Sequence, residues 1–426
     1  MSKGNIVAGI DIGSSKITTI ISQVYDEAVS DGVTASIIGV SSVESRGIKK
    51  GQIVDIEEAV GSMIESVEGA ERMAGYHLSH AYISLGGAHV GSQNSHGVVA
   101  VSDPDGEITQ TDVDRVMDAA SAVSLPSSRE LVHILPREFI VDGEDGIRDP
   151  IGMSGVRLEV QTHLITASSG AVKNIRKALN DVGISVDEFV YTGIAASEAT
   201  LTKTEKELGC ILVEIGGGTT GVTVYVDGGI ASSFVLPIGA KNVTNDLAIG
   251  LRVSLEAAEK IKLFLSEQKA RKAKDDKEPD EIDLKQIGVV ESKKISRKTL
   301  VEGIIRPRLN EIFTMVKLQV ERDGLLAKVP AGVILSGGGA ETVGIIDSAK
   351  RILLLPVRVG KPKGVSGLID DIISPSFSVP VGLILFGSNQ IAKGVSQRGF
   401  GIPRKITLSS KGIVSRIVES IRDLLP

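Results

Sequence analysis

No tryptophan occurs among the 426 residues of this chain, aromatic residues make up only 3%, and cysteine occurs once, at Cys210. With so few aromatics the core must be aliphatic, and a base-stacking nucleic-acid surface is disfavoured. A single cysteine excludes an internal disulfide and fits a reducing compartment. Cys210 opens an apolar strand and reads as a buried, inert thiol. The net charge of −6 argues against a dedicated nucleic-acid binder. No apolar run approaches the roughly 18 residues that span a bilayer. Met1-Ser2-Lys3-Gly4-Asn5 leads straight into a short strand, without the layout of a secretory signal. The six histidines (His77, His80, His89, His96, His133, His163) show no metal-ligand spacing. These observations predict a cytoplasmic protein of two or more domains, with ample length for buried cores.

The most informative feature present is a loop written twice. Ala8-Gly9-Ile10-Asp11-Ile12-Gly13-Ser14-Ser15-Lys16-Ile17-Thr18 runs from apolar residues through an acid and small residues back to apolar ones. Ile211-Leu212-Val213-Glu214-Ile215-Gly216-Gly217-Gly218-Thr219-Thr220-Gly221-Val222 repeats the plan. Each reads as strand, tight turn, strand, with no bulky side chain at the bend. Such turns let backbone N–H groups close around a phosphate. Two copies predict two hairpins gripping one polyphosphate, with Asp11 and Glu214 facing its metal ion, Mg, directly or through water. A third glycine turn follows a buried strand in Val333-Ile334-Leu335-Ser336-Gly337-Gly338-Gly339-Ala340 and is expected to head a helix.

Between these turns the chain reads as strands at 5–22 and 35–43, a helix at 55–74, strands at 81–102 and a helix signalled at Thr111-Asp112-Val113-Asp114. Strands at 131–142 and 156–166 follow, so that 82–166 forms a compact α+β unit interrupting the first half. Residues 241–325 are helix-rich, and the charged run 267–281 is expected to be a solvated excursion. The boundaries read as 1–81 and 167–192 for one domain, 193–390 for a second, 391–410 for a basic linker and 411–426 for a terminal helix.

The three turns, in this order, resemble the signature of the actin and sugar-kinase superfamily, an α/β two-domain ATP-binding fold. That resemblance implies ATP with Mg. The loops at Asp11, Gly13, Ser14, Ser15 and Lys16 and at Glu214, Gly216, Gly217, Gly218, Thr219 and Thr220 would hold phosphates, and Gly337, Gly338 and Gly339 would lie beside adenosine. Glu259 and Lys262 are similar to a helix pair that reaches the nucleoside in related chaperones; an ordinary ion pair at this i, i+3 spacing is the alternative. Arg137-Glu138-Phe139-Ile140-Val141-Asp142-Gly143, Gly146-Ile147-Arg148-Asp149-Pro150-Ile151-Gly152-Met153-Ser154-Gly155 and Ser254-Leu255-Glu256-Ala257-Ala258-Glu259 narrow the resemblance to the FtsA family of bacterial cell-division proteins. Three departures from the family patterns bear on chemistry. Glu214 stands where aspartate is usual, Gly221 where an aspartate usually follows, and 190–196 lacks the glutamate that positions water in filament ATPases such as MreB. These predict binding with at most weak ATP hydrolysis.

In 411–426 the apolar Ile413, Val414, Ile417, Val418, Ile421, Leu424 and Leu425 fall within an arc of about 140° at helical spacing. Such a helix is too short to span a membrane and suited to lying in its interface. The upstream Lys393, Arg398, Arg404, Lys405 and Lys411, with no acid among 391–411, favour an anionic membrane surface. A helix docked on its own protein or on a partner is the other reading. The family resemblance implies a peripheral protein on the cytoplasmic side of the cell membrane at the division site. It would anchor FtsZ filaments, contact other divisome proteins and self-associate into filaments, with Arg308 and Glu311 as candidate FtsZ contacts. A pilus-assembly adaptor resembling PilM and a small-molecule kinase are the competing readings.

Overall fold

The computed structural model describes residues 5–24, 35–271, 280–288, 294–368 and 372–392. Most of the charged run, the basic stretch beyond residue 392 and the whole amphipathic segment 411–426 lie outside the described residues.

Two sheets built to one plan make up the body. The first runs, in spatial order, Ser185–Tyr191, His80–Leu85, Asn5–Ile12, Lys16–Val24 and Ala35–Glu44. The second runs Val357–Val359, Val333–Ser336, Cys210–Ile215, Thr220–Val226 and Gly229–Leu236. In each, the first three strands are parallel and the last three form an antiparallel meander. Their Val/Ile-rich strands are buried almost continuously, because helices cover both faces. The helix Ile56–Ala74 is one such cover. Asp55 Oδ1 caps it by accepting from the Glu58 N–H (3.1 Å), Gly75 ends it at φ 63°, and Ala59, Met63, Val67 and Ala70 are buried along its length.

The chain crosses back late. Val365–Gly367 pairs parallel with Ala35–Glu44 at the edge of the first sheet, and Ser378–Ala392 packs on that sheet too. Residues 365–367 and 378–392 thus leave the domain in which sequence order places them. Ser378–Ala392 crosses Thr192–Thr200 so closely that a Cβ on Gly382 would stand 1.8 Å from the Ala195 carbonyl oxygen. Only glycine fits there.

The unit interrupting the first domain is a sheet in the order Gly91–Ala100, Arg157–Ser168, Arg129–Val141 and Glu144–Ile147. Its helix, Gln110–Ser121, starts one residue before the signal read at Thr111. Thr109 is the N-cap, and Asp112 returns the contact by accepting from both the N–H and the hydroxyl of Thr109. Ile108, Val116, Phe139, Leu158 and Val160 give it a core of its own.

His89, His133 and His163 are buried, and burial drives each to about 4. The folded protein therefore keeps them neutral where the unfolded chain takes up protons, so stability falls as pH drops from 6.5 towards 4. The expected observation is a melting temperature that declines through this window, with His163→Gln flattening the decline. An unchanged profile in that variant would remove His163 from the account.

Candidate functional site

The duplicated turns are closed by the same hydrogen bond. Gly13 N–H donates to the Lys16 carbonyl (3.1 Å), and Gly216 N–H donates to the Thr219 carbonyl (2.9 Å). Asp11 and Glu214 each stand two residues before their turn, opposite Thr18 and Gly221. The turns meet at the junction of the two sheets. A Cβ on Gly217 would lie 2.7 Å from Ser15 Cβ, and one on Gly218 would lie 3.1 Å from Ser14 Cβ. Lys241 Nζ donates across the junction to the Ser14 carbonyl (2.8 Å). The helix carrying Lys241 starts at the second turn, where the Ala240 and Lys241 N–H groups donate to the Gly216 and Gly217 carbonyls (both 2.9 Å).

Electrostatics mark the same spot. Burial raises Asp11 above its ordinary value, opposed by a hydrogen bond from Ser84 and by the charge of Lys16. Burial, reinforced by repulsion from Asp11, lifts Glu214 to about 8. Two buried acids, both raised by burial and one of them also by the charge of the other, suit a divalent ion held mainly by water and phosphate. Among the described residues there is no cluster of three or more metal-ligating side chains. Lys16 Nζ donates to Ser376 Oγ (3.2 Å) and sits 4.0 Å from the centre of the Phe377 ring. Burial depresses its basicity, opposed by Asp11 and Glu341.

The third turn sits against the second hairpin. Gly337, at φ 79°, has no room for a Cβ, which would stand 2.5 Å from the Ile215 carbonyl oxygen and 2.6 Å from Glu214 Oε1. The three glycines do not head an α-helix as expected. Gly338–Glu341 is a single 3-10 turn, and the α-helix begins at Ile345 behind Gly344. Thr220 is committed elsewhere, donating to the Ile238 carbonyl (2.8 Å), while Thr219 stays half-buried in the turn.

Glu259 and Lys262 are no ordinary surface pair. Lys262, 8% exposed, donates to Glu259 Oε2 (2.7 Å) and to Thr244 Oγ1 (2.9 Å), and Thr244 donates to Glu259. Arg308 is held from two sides by Asp246 (2.6 and 2.8 Å) and pairs with Glu311, so it ties Arg306–Arg322 to Ala240–Leu251. Glu311 is the more exposed of the pair.

Several cleft residues escaped the reading of the sequence. Ser84 and Ser336 occupy matching places in the parallel neighbours of the two acid strands, and Ser336 is registered against Glu214. Ser84 Oγ accepts from the Ile12 N–H (2.9 Å), whereas Ser336 Oγ is buried without a hydrogen-bond partner. A signal existed: Ile83-Ser84-Leu85-Gly86-Gly87 and Leu335-Ser336-Gly337-Gly338-Gly339 share apolar, Ser, any residue, Gly, Gly. Lys241 and Ser376 carried none. The two missing acids coincide in space, since a Cβ on Gly221 would lie 3.8 Å from Thr192 Oγ1.

A doubled sheet, with hairpin turns closing on each other at the domain junction and an α+β unit inserted in the first half, defines an actin-like protein. Comparison with solved structures agrees. The PilM–PilN type IV pilus biogenesis complex superposes with a TM-score of 0.62 at 17% identity, over 90% of this chain and 98% of that one. MreB5 of Spiroplasma citri bound to ADP gives 0.51 at 14%, over 92% and 98%. These likenesses show the fold. The family model described as "SHS2 domain inserted in FTSA" matches residues 87–166, and "Cell division protein FtsA" matches 211–382. The cell division protein FtsA of Pseudomonas aeruginosa is 36% identical over 93% of this chain and 92% of its own length. That of Borreliella burgdorferi is 37% identical over 96% and 97%, and that of Escherichia coli K12 31% over 98% and 97%. The chain belongs to the FtsA family of cell division proteins. That membership sets aside the pilus-adaptor and kinase readings.

Proposed function

We propose that this cell-division protein binds ATP with Mg between its two hairpin turns and links FtsZ filaments to the inner face of the cell membrane. One observation carries the nucleotide reading: two turns closed by the same hydrogen bond stand against each other at the domain junction, each with a buried acid two residues before it. MreB5 of Spiroplasma citri, with this fold, has been solved with ADP and with AMPPNP. Backbone N–H groups of 14–16 and 217–219, with Lys16, would hold the phosphates, the Gly13 and Gly216 N–H groups being used to close the turns. Asp11 and Glu214 would hold the cation through water, and Gly337–Gly339 with Glu259 and Lys262 would bound the nucleoside. Bound Mg would supply charge neutralisation between the phosphate oxygens.

No carboxylate stands at Thr192 or Gly221, so nothing at that spot orients an attacking water. Turnover is expected to fall below about 1 per second, the low end of common enzyme rates. A coupled phosphate-release assay on purified protein, with and without FtsZ, checks this; a rate well inside the common range would show that another group does the orienting.

The membrane reading rests on the pattern of 411–425, because no helix among the described residues is long and apolar enough to cross a bilayer. Peripheral attachment through an amphipathic segment, helped by Arg404 and Lys405, fits a protein that joins a polymer to the membrane and assembles with copies of itself. Co-pelleting with anionic liposomes, with and without ATP and FtsZ, tests the whole reading. If FtsZ pelleted equally well without this protein, the adaptor role would be lost.

A further inference from the structure

The inserted unit leaves the first domain after Leu85 and rejoins it at Ser168, yet it is fastened to the second. Ser92 Oγ donates to the Ser233 carbonyl (2.6 Å), and Asn94 Nδ2 donates to the Ala231 carbonyl (3.2 Å). His163 joins both elements, with Nδ1 2.7 Å from Asn94 Oδ1 and Nε2 2.8 Å from Ser233 Oγ. Asn94 Oδ1 can only accept, so His163 Nδ1–H donates to it and Nε2 accepts from the Ser233 hydroxyl. Arg148 pairs with Glu207 at the rim. On the inner side, the wholly buried Tyr191 hydroxyl donates to the Val222 carbonyl (3.5 Å) of the neighbouring strand in the second sheet.

The cleft lies where the two sheets meet, so opening it moves the second sheet against the first. The insert is covalently part of the first and hydrogen-bonded to Gly229–Leu236 at the edge of the second. It must slide or detach whenever the cleft opens. The interface is incompletely filled at its rim, where a crevice of about 180 Å³ remains, lined by Arg137, Glu138, Phe139, Arg148, Glu207 and Asp227.

We infer that the inserted unit is a strap across the domain junction, its docking on Gly229–Leu236 and the closure of the cleft being one equilibrium. The inference rests on the reading of the cleft as a nucleotide site. By linkage, anything that pulls the insert away weakens nucleotide binding by the same factor with which nucleotide holds the insert down.

Hydrogen exchange on the full-length protein, with and without ATP and Mg, reads this directly. Amides of 91–95 and 229–234 are expected to slow about tenfold when nucleotide binds, within the usual range of coupling between sites. Ser92→Ala with Asn94→Ala removes the two bonds to backbone carbonyls and should speed dissociation of a fluorescent ATP analogue by a similar factor. Exchange in both segments that ignores bound nucleotide would overturn the strap while leaving the nucleotide site standing, whether or not the variant folds. Nucleotide release from the folded variant at the wild-type rate would do the same. Failure of the wild-type protein to bind nucleotide would overturn the cleft reading and the strap with it.

Discussion

Gly217→Val is expected to weaken binding of a fluorescent ATP analogue about 100-fold, the upper end of what overpacking a tight site costs. The reason is local. A Cβ at this position stands 2.7 Å from Ser15 Cβ of the opposite turn, so the branched side chain must force the two turns apart. Gly217 also lends its carbonyl to the Lys241 N–H (2.9 Å), which ties the turn to the helix behind it. The comparison variant matters. Gly229 looks from the sequence like an ordinary turn position, but it opens a strand, and its Cβ would lie 3.2 Å from Arg137 Cα of the insert. Gly61 faces open space on the helix Ile56–Ala74, and Gly61→Ala should leave affinity unchanged. Unchanged affinity in the valine variant would end the assignment of this turn to phosphate.

Ile417→Glu together with Ile421→Glu should abolish pelleting with anionic liposomes while nucleotide binding survives. Both residues sit near the middle of the apolar arc, so the change puts two carboxylates where acyl chains would be. Recruitment of FtsZ to liposomes should fail with it. Neutralising Arg404 and Lys405 removes about 1 kcal/mol of surface attraction each. That milder loss should show mainly at low salt, since such attraction is screened within about 8–10 Å at physiological ionic strength. If the double variant still pelleted, the segment would not be the anchor. If it lost nucleotide binding or solubility instead, a helix docked on its own protein would explain it better.

The paired turns were legible because everything that makes them is local. Asp11 to Lys16 and Glu214 to Thr219 each carry an acid, a two-residue offset and small residues, between continuous apolar runs that read as buried strands on either side. The insert could be recognised for a similar reason, since its strands and helix follow one another in sequence and enclose their own core, but its start at 82 fell too early because His80–Leu85 is a strand of the first sheet. Glu259 and Lys262 shared a helix face by spacing alone, but only packing against Thr244 showed that the lysine is buried.

Other features depended on residues far apart in the chain. Val365–Gly367 pairs with Ala35 to Ile37 across 330 positions, and nothing in three short residues announces that partner. The third glycine turn looked like a helix start, yet close contact of Gly337 and Gly339 with Ile215 leaves room only for one 3-10 turn before the chain moves on. Lys241 reaches Ser14, and Ser233 reaches His163, through contacts between elements that have no common local pattern. Sequence by itself determined the doubled acid turns, the inserted unit and the amphipathic end, because each is a short-range pattern of side-chain size and polarity. Tertiary structure alone decided which sheet the last strand joins, which serines stand beside the acids and where the insert is fastened, because those follow from packing distant segments against one another.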